Sequence, residues 1–179
     1  PKALNALNLN MAIQFSNKLK EWESDNTIKR VLLLGEGKNF CAGGDVKSVH
    51  LSGPFSELKR EFFSKEYSLN LQIKNFPKPY LSIWKGVVMG GGVGLSIYGD
   101  YRIATDSTKF AMPETSIGFF PDVGGSFFLA RLENNLGKYL GLTGEIVQGK
   151  DLLNFNLATH YCPENKINNL ISQFITDGS

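Results

Sequence analysis

The chemistry that this sequence could perform rests on two carboxyl residues and a run of glycines. Glu114 follows Pro113 on a turn, and Asp122 comes eight residues later. Upstream, residues 90–94 carry four glycines in five positions, between two apolar runs. Backbone amides free of side chains can hold an oxyanion, and a carboxylate can move a proton or attack a carbonyl. This combination indicates acyl chemistry.

A second glycine-rich loop, residues 35–45, also follows a predicted strand. That strand is residues 31–34, and the glycine run at 90–94 follows the apolar segment 80–88. Ligands of open α/β sheets bind at the carboxyl ends of the strands, so both loops are predicted to expose amides at one edge of a sheet. Tight turns and close helix packing are the alternative use of such glycines. The downstream carboxylates favour a function.

Neither glycine loop matches a nucleotide-binding motif. The Gly-Lys-Ser/Thr ending of a phosphate-binding loop is absent from both loops. Gly92 and Gly94 could begin a dinucleotide fingerprint, but Ile97 stands where its third glycine belongs. The sequence therefore disfavours a nucleotide fold.

Apolar neighbours of Glu114 and Asp122 predict raised carboxyl pKa values through desolvation. These neighbours are Ala111, Met112, Ile117, Phe119, Phe120 and Val123. The alternative is that Glu114 caps a turn and Asp122 caps a helix that starts near residue 123. We favour catalysis over capping because the glycine loops accompany both carboxyl residues.

Other reactive side chains compete poorly for a catalytic role. His50 and His160 form no Ser or Cys triad that the sequence reveals, so a structural role is predicted for each. Cys41 is a candidate nucleophile, although a small buried thiol is the commoner case. Cys41 and Cys162 lie far apart without C-x-x-C spacing, which predicts no metal site and a reducing compartment.

Alternating strands and helices predict an α/β domain with a largely parallel sheet. Apolar spacing predicts helices over 8–22 and 57–76, the second ended by Pro77 and Pro79. Further predicted strands are 31–34, 80–84, 102–105 and 109–112, and further short helices are 91–98, 127–132, 136–142, 151–155 and 167–175. At 179 residues the chain fits one domain.

Charge and hydropathy narrow the classes of partner. The formal net charge is +2 and the Lys and Arg residues are scattered, so neither nucleic acid nor a membrane surface is expected as a partner. No run of about 18 apolar residues occurs, so no transmembrane helix is predicted. A small phosphate-bearing ligand fits the slight basic excess.

At these residues the chain resembles the crotonase (enoyl-CoA hydratase/isomerase) superfamily, over nearly its whole length. The most specific strings are Ala-Met-Pro-Glu-Thr at 111–115 and Phe-Pro-Asp-Val-Gly-Gly at 120–125, which are typical of the branch that hydrolyses thioesters. The resemblance implies a spiral of ββα repeats in a single domain over 1–179, with 150–179 beginning a C-terminal helical region. It also implies that the family's first strand and most of that helical region lie outside the sequence.

The resemblance further implies a role for each site residue. The amides of Gly44 and Gly91 would form an oxyanion hole, and Glu66 matches a family position that contacts substrate. Glu114 would be the catalytic carboxylate, either attacking the thioester carbonyl or activating water, and Asp122 would assist it. No metal or cofactor is expected, because coenzyme A is part of the acyl-CoA substrate.

Position 94 separates the branches of this superfamily. Hydratases carry a second catalytic glutamate where this chain has Gly94, while Asp122 replaces what is typically a glycine in them. The resulting hypothesis is hydrolysis of a short branched β-hydroxyacyl-CoA to free acid and CoA, as in branched-chain amino acid degradation. An enoyl-CoA hydratase/isomerase and a catalytically silent acyl-CoA-binding protein remain alternatives. The family also suggests the mitochondrion and is compatible with a homo-oligomer.

Overall fold

Two β-sheets with helices packed around them make up the structure, a computed structural model that describes residues 3–177. The strands are β1 Val31–Leu33, β2 Tyr80–Trp84, β3 Val87–Met89, β4 Tyr101–Ala104, β5 Lys109–Ala111, β6 Val147–Gln148 and β7 His160–Tyr161. The helices are α1 Leu9–Ser24, α2 Val46–Leu51, α3 Glu57–Lys74, α4 Gly91–Gly94, α5 Gly125–Leu129, α6 Leu136–Thr143, α7 Asp151–Asn154 and α8 Ile167–Thr176. Single 3-10 turns cover Glu114–Ile117 and Glu164–Lys166.

The strands form two sheets, and the chain crosses repeatedly between them. The first sheet is parallel, in the order β1-β2-β4-β7, and the second has the order β3-β5-β6. In the second sheet β3 and β5 are parallel and β6 is antiparallel. The chain thus passes from β2 to β3 and from β4 to β5 across the sheets, with helical segments after each pair. This confirms the α/β class and the ββα spiral that the resemblance implied.

Helices α1 and α3 pack together beside the sheets. The Asn8 side chain accepts a hydrogen bond from the Met11 amide and begins α1, and Ser56 caps α3 in the same way. Leu19 of α1 and Leu69 of α3 are fully buried. The buried face of α3 also carries polar residues, and these lead to the candidate site.

Two stacked aromatic side chains form a contact between the sheets, which we call the joint. Trp84, the last residue of β2, stacks on Phe110 of β5 with 5.7 Å between ring centroids, and both side chains are fully buried. Because β2 and β5 belong to different sheets, this contact couples them. Among residues 3–177, no helix is both long and apolar enough to cross a membrane.

The apolar segment 80–88 was interpreted as a single strand before the glycine run at 90–94, but it forms two strands. Gly86 has a φ of +57°, and a Cβ there would lie 2.3 Å from the Lys38 carbonyl oxygen. This tight turn sends β2 and β3 into different sheets, so the glycine run at 90–94 follows β3.

The segment 150–179, which was predicted to begin a C-terminal helical region, also contains the strand β7. His160 and Tyr161 pair with Ile103 and Ala104 of β4 and form the edge of the first sheet. Two residues are too few for a period-2 pattern, so the strand depends on its partner. Helices α7 and α8 do lie in this segment.

Candidate active site

The two glycine loops meet at the carboxyl end of β3. Backbone hydrogen bonds between Cys41 and its β3 partners bring residues 41–44 beside the start of α4. A Cβ placed on Gly91 would lie 3.0 Å from the Gly44 nitrogen, so the two glycines are in contact. Among the described residues, neither amide N–H donates a hydrogen bond to another protein group. Two free donors this close together can serve one oxyanion.

Gly90 allows Glu114 to approach these amides. It joins β3 to α4 with a φ of +49° and a ψ of −121°, a conformation that favours glycine. A Cβ at this position would lie 2.8 Å from Glu114 Oε1. The absence of a side chain therefore lets the carboxyl group rest against the glycine backbone.

A cleft of about 440 Å³ opens from the glycine loops, within the range of roughly 300–1,000 Å³ usual for small-molecule sites. Its walls come from residues 42–50, from the first half of α3, and from the segment 113–122. A larger hollow of about 520 Å³ beside Leu142 is lined by no carboxyl group. The cleft is identified as the candidate site by the residues that line it and not by its volume.

Three carboxyl groups, those of Glu66, Glu114 and Asp122, line this cleft. Their exposed fractions are 2%, 7% and 8%. Burial raises the pKa of Glu114 to about 7, and the charge of Asp122 adds to the rise. Burial also raises the pKa of Glu66 to about 8, with a contribution from the charges of Asp122 and Glu114. The rise predicted from the apolar neighbours of Glu114 is thus present in the structure.

Asp122 differs from the other two acids. Burial raises its pKa, while a hydrogen bond from the Tyr67 hydroxyl to its Oδ2, at 2.8 Å, acts in the opposite direction. Within residues 3–177 none of the three carboxyl groups has a salt-bridge partner. They therefore compete for protons and titrate as a coupled set.

The capping alternative does not account for these residues. Helix α5 begins after Gly124, and no side chain caps it. Glu114 begins the 3-10 turn Glu114–Ile117, yet its Oε2 is buried without a hydrogen-bond partner. A buried polar atom left unpaired calls for an explanation, and a site for a ligand supplies one.

Helix α3 contributes a residue that sequence analysis missed. Phe63, Glu66, Tyr67 and Asn70 follow the i, i+3, i+4, i+7 spacing that places residues on one helical face. That spacing is the sequence signal for Tyr67, but its partner Asp122 lies 55 residues away. Only the packing of α3 against the segment 113–122 brings the two together.

Position 94 has no room for a side chain. A Cβ on Gly94 would lie 2.8 Å from Asn70 Nδ2 and 2.8 Å from Val123 Cβ. Asn70 is buried, and neither polar atom of its amide has a hydrogen-bond partner. A glutamate at position 94 would require both neighbours to move.

The two histidines and Cys41, the other candidates from the sequence, differ in their position relative to the cleft. His50 of α2 lines the cleft wall, whereas His160 lies in the edge strand β7 and does not. Cys41 is buried, and burial raises its pKa to about 11, so its sulfur stays a thiol. In the part of the chain that the structure describes, no group of three or more His, Cys, Asp and Glu residues is arranged to hold a metal ion.

The two sheets between which the chain crosses and the glycine-rich cleft define the class of protein. The chain belongs to the enoyl-CoA hydratase/isomerase family, whose model matches residues 1–178. It is similar to "3-hydroxyisobutyryl-CoA hydrolase, mitochondrial" of Danio rerio, with 48% identity over 172 residues, 95% of this chain and 45% of the relative. The Xenopus laevis protein of the same name is 49% identical over 172 residues, with the same coverage of 95% and 45%. The chain spans about half the length of the curated relatives it matches.

A solved structure shows the same fold. The crystal structure of a carnitinyl-CoA dehydratase from Mycobacterium thermoresistibile matches with a TM-score of 0.95 and 44% identity, over 99% of this chain and 53% of that chain. Relatives named as hydrolases and a structure named as a dehydratase are therefore similar to this chain to nearly the same degree. Individual positions in the cleft must distinguish the reactions.

Proposed function

We propose that the protein containing this chain hydrolyses an acyl-CoA thioester, a short branched β-hydroxyacyl-CoA, to the free acid and CoA. The observation that carries this proposal is the filled space at Gly94, beside a cleft in which Asp122 supplies a carboxyl group instead. The hydratases that this chain resembles carry their second catalytic carboxylate at position 94, and this site leaves no space for it. The names of the Danio rerio and Xenopus laevis relatives support the same reaction and substrate.

The acyl carbonyl would lie between the amides of Gly44 and Gly91. Their N–H groups would stabilise the oxyanion that forms when the carbonyl carbon is attacked. Loss of one such donor typically costs about 3–4 kcal/mol of transition-state stabilisation. This contribution is specific to acyl transfer, because it requires a carbonyl oxygen that gains charge.

Glu114 would carry the reaction by one of two routes. In the first route, its carboxylate attacks the carbonyl carbon, the CoA sulfur leaves, and water then cleaves the acyl-enzyme anhydride. In the second route, the Glu114 carboxylate takes a proton from a water molecule, and the oxygen of that water attacks the carbonyl carbon directly. In both routes one water is consumed, its hydroxyl joins the acid, and its proton ends on the CoA thiol. A pKa of about 7 suits either route, since a large fraction of Glu114 is ionised near neutral pH.

Glu66 would remain protonated at neutral pH, because its pKa is about 8. Its Oε1 lies 2.3 Å from where a Cβ on Gly91 would be, which places it beside the oxyanion hole. A neutral carboxyl group there can donate a hydrogen bond to the acyl group. Lys59 on the cleft wall offers a positive charge to the CoA phosphates. The mitochondrial location named for both relatives is part of the same proposal.

Replacing Glu114 by Gln tests this proposal. In the full-length protein, release of free thiol from 3-hydroxyisobutyryl-CoA should fall by about 10²–10⁴-fold, since proton transfer by a positioned group is worth that much. Binding of the CoA ester, measured by calorimetry, should change little. The matched control is Glu133→Gln, because Glu133 is exposed and does not line the cleft. Near wild-type turnover in Glu114→Gln would remove Glu114 from the mechanism.

The absorbance of crotonyl-CoA, followed in parallel, separates the alternatives. Hydration without thiol release by the wild-type protein would replace the proposed hydrolase by a hydratase. Binding of CoA esters with neither reaction would point to an acyl-CoA-binding protein.

A further inference from the structure

Three carboxyl groups without a salt-bridge partner raise the question of which one ionises first. They come from different elements: Glu66 from α3, Glu114 from the 3-10 turn and Asp122 from the segment before α5. The other titratable groups on the cleft wall are His50 and Lys59. Like charges in one buried site disfavour a second ionisation, so catalysis needs a defined order of proton loss.

Hydrogen bonding sets Asp122 apart from the other two acids. The Tyr67 hydroxyl donates to Asp122 Oδ2 at 2.8 Å. Glu66 Oε1 and Glu114 Oε2, by contrast, are buried without a partner among the described residues. A hydrogen bond to the charged form of an acid favours ionisation. The ionised Asp122 in turn raises the pKa of Glu114, which makes Glu114 a stronger base.

Tyr67 reaches Asp122 from outside the substrate cleft. It does not line the cleft that holds the three acids; it lines a separate hollow of about 230 Å³ together with Asn70, Lys74 and Tyr98. The charged group on that side is the Lys74 ammonium, which lies 4.1 Å from the ring centroid of Phe127. The hydroxyl of Tyr67 therefore contacts the site through Asp122.

Aromatic packing fixes the position of this hydroxyl. The Tyr67 ring lies 5.8 Å from that of Phe63, and Phe63 stacks on Phe119 at 5.7 Å between centroids. Phe119 follows the 3-10 turn that begins with Glu114. The hydroxyl that contacts Asp122 is thus tied to the segment that carries the catalytic glutamate.

We propose that Tyr67 is a positioning residue that selects Asp122 as the first of the three carboxyl groups to ionise and holds it beside Glu114. This inference rests on the proposed function, because it assigns a role within the same site. It predicts that loss of the hydroxyl changes the pH dependence of the reaction and not the affinity for the CoA ester.

The test compares Tyr67→Phe with Tyr98→Phe in the full-length protein. The control is closely matched, because the Tyr98 hydroxyl also donates a hydrogen bond next to Asp122. Its acceptor is the Val123 carbonyl oxygen, at 2.9 Å, and not a carboxylate. In the active form both Asp122 and Glu114 are ionised, so loss of the Tyr67 hydroxyl, which makes ionisation of Asp122 harder, should move the acid limb of the kcat profile to higher pH by up to about one unit. At pH 6 we expect kcat for thiol release to fall by up to about tenfold, with KM unchanged within about twofold. Tyr98→Phe should leave the acid limb in place.

A direct titration separates failure of this inference from failure of the proposed function. The ¹³C carboxyl signal of Asp122, assigned with Asp122→Asn, should titrate at higher pH in Tyr67→Phe than in the wild type and in Tyr98→Phe. An unchanged signal in Tyr67→Phe, or an equal shift in both variants, would overturn the role of Tyr67 whether or not thiol is released. If only Tyr67→Phe shifts the titration of Asp122 and the protein releases no thiol, the order in which the carboxyl groups ionise would be retained and the hydrolase function rejected.

Discussion

Glu66 illustrates how burial of one residue sets a charge state. It projects from the buried face of α3 against Gly91, and its Oε1 has no hydrogen-bond partner in the described part of the chain. Desolvation penalises the charged carboxylate far more than the neutral acid. The folded protein therefore holds a proton on Glu66 that the unfolded chain releases at lower pH.

The consequence of this proton is a fall in stability with rising pH. A carboxyl group whose folded pKa is about 8 and whose ordinary pKa is 4.5 makes unfolding easier as the pH rises between these values. Glu66→Gln removes this group, so its free energy of unfolding relative to wild type should rise by up to about 1.4 kcal/mol per pH unit from pH 5 to 8. Denaturant unfolding at several pH values measures this difference. A difference that does not vary with pH would show that Glu66 is ionised in the folded state.

The residues of the candidate site could be predicted to different extents from the sequence. Glu114 and Asp122 lie in short specific strings beside glycines, and the structure places both in the cleft with Gly44 and Gly91. Tyr67 gave no comparable signal, because a hydroxyl bonded to a residue 55 positions away depends on how two elements pack. Local strings indicate which groups are candidates for the reaction, whereas the packing of separate elements decides which groups contact them.

The contact between helices α3 and α4 also depends on how separate elements pack. Asn70 and Val123 fill the space over Gly94, so the end of α4 approaches α3 closely. Gly94→Ala should lower the free energy of unfolding by about 1–3 kcal/mol, because overpacking forces such neighbours to shift. It should also slow thiol release, since Val123 adjoins Asp122. Chemical denaturation and the thiol assay measure the two effects.

Gly141→Ala is the control for this substitution. Gly141 lies inside α6, and its nearest neighbour would be the mobile end of the Leu129 side chain at 3.2 Å. Alanine is favoured over glycine in a helix interior by about 1 kcal/mol, so this variant should be at least as stable as wild type. If Gly94→Ala behaves like Gly141→Ala, position 94 has room for a side chain and the argument against a hydratase loses its support.

Most helices and strands were predictable from the sequence, but strands β3, β6 and β7 were not. Helices α1 and α3 have caps and several turns of apolar spacing, and they lie within two residues of the predicted ranges at each end. Strands β3, β6 and β7 contain two or three residues each, too few to show a period, and exist because a neighbour supplies hydrogen bonds. The turn at Gly86 could not be foreseen either, because the need for a glycine there comes from the Lys38 carbonyl, which is distant in the sequence and close in the fold.

At the scale of the whole molecule, the site depends on both sheets at once. Gly91 follows β3, and Glu114 and Asp122 follow β5, of the second sheet. Gly44 follows β1 of the first sheet, and α3, which carries Glu66, precedes β2 of the same sheet. Trp84 and Phe110 couple these sheets through a fully buried stacked contact. Loss of this contact should therefore loosen the site as well as the core. We expect Trp84→Phe to lower the free energy of unfolding by about 1–3 kcal/mol.

Tryptophan fluorescence can show whether the two sheets unfold as one unit. The sequence contains two tryptophans, so Trp22→Phe leaves Trp84 as the single reporter at the joint. Trp22 is only half-buried on α1, and its replacement should cost less than about 1 kcal/mol. If Trp84 fluorescence and CoA-ester binding are lost at the same denaturant concentration, the joint and the site form one cooperative unit, as we expect. Separate midpoints would mean that the cleft opens while the sheets stay joined, and the stacked contact would then not be what holds the site together.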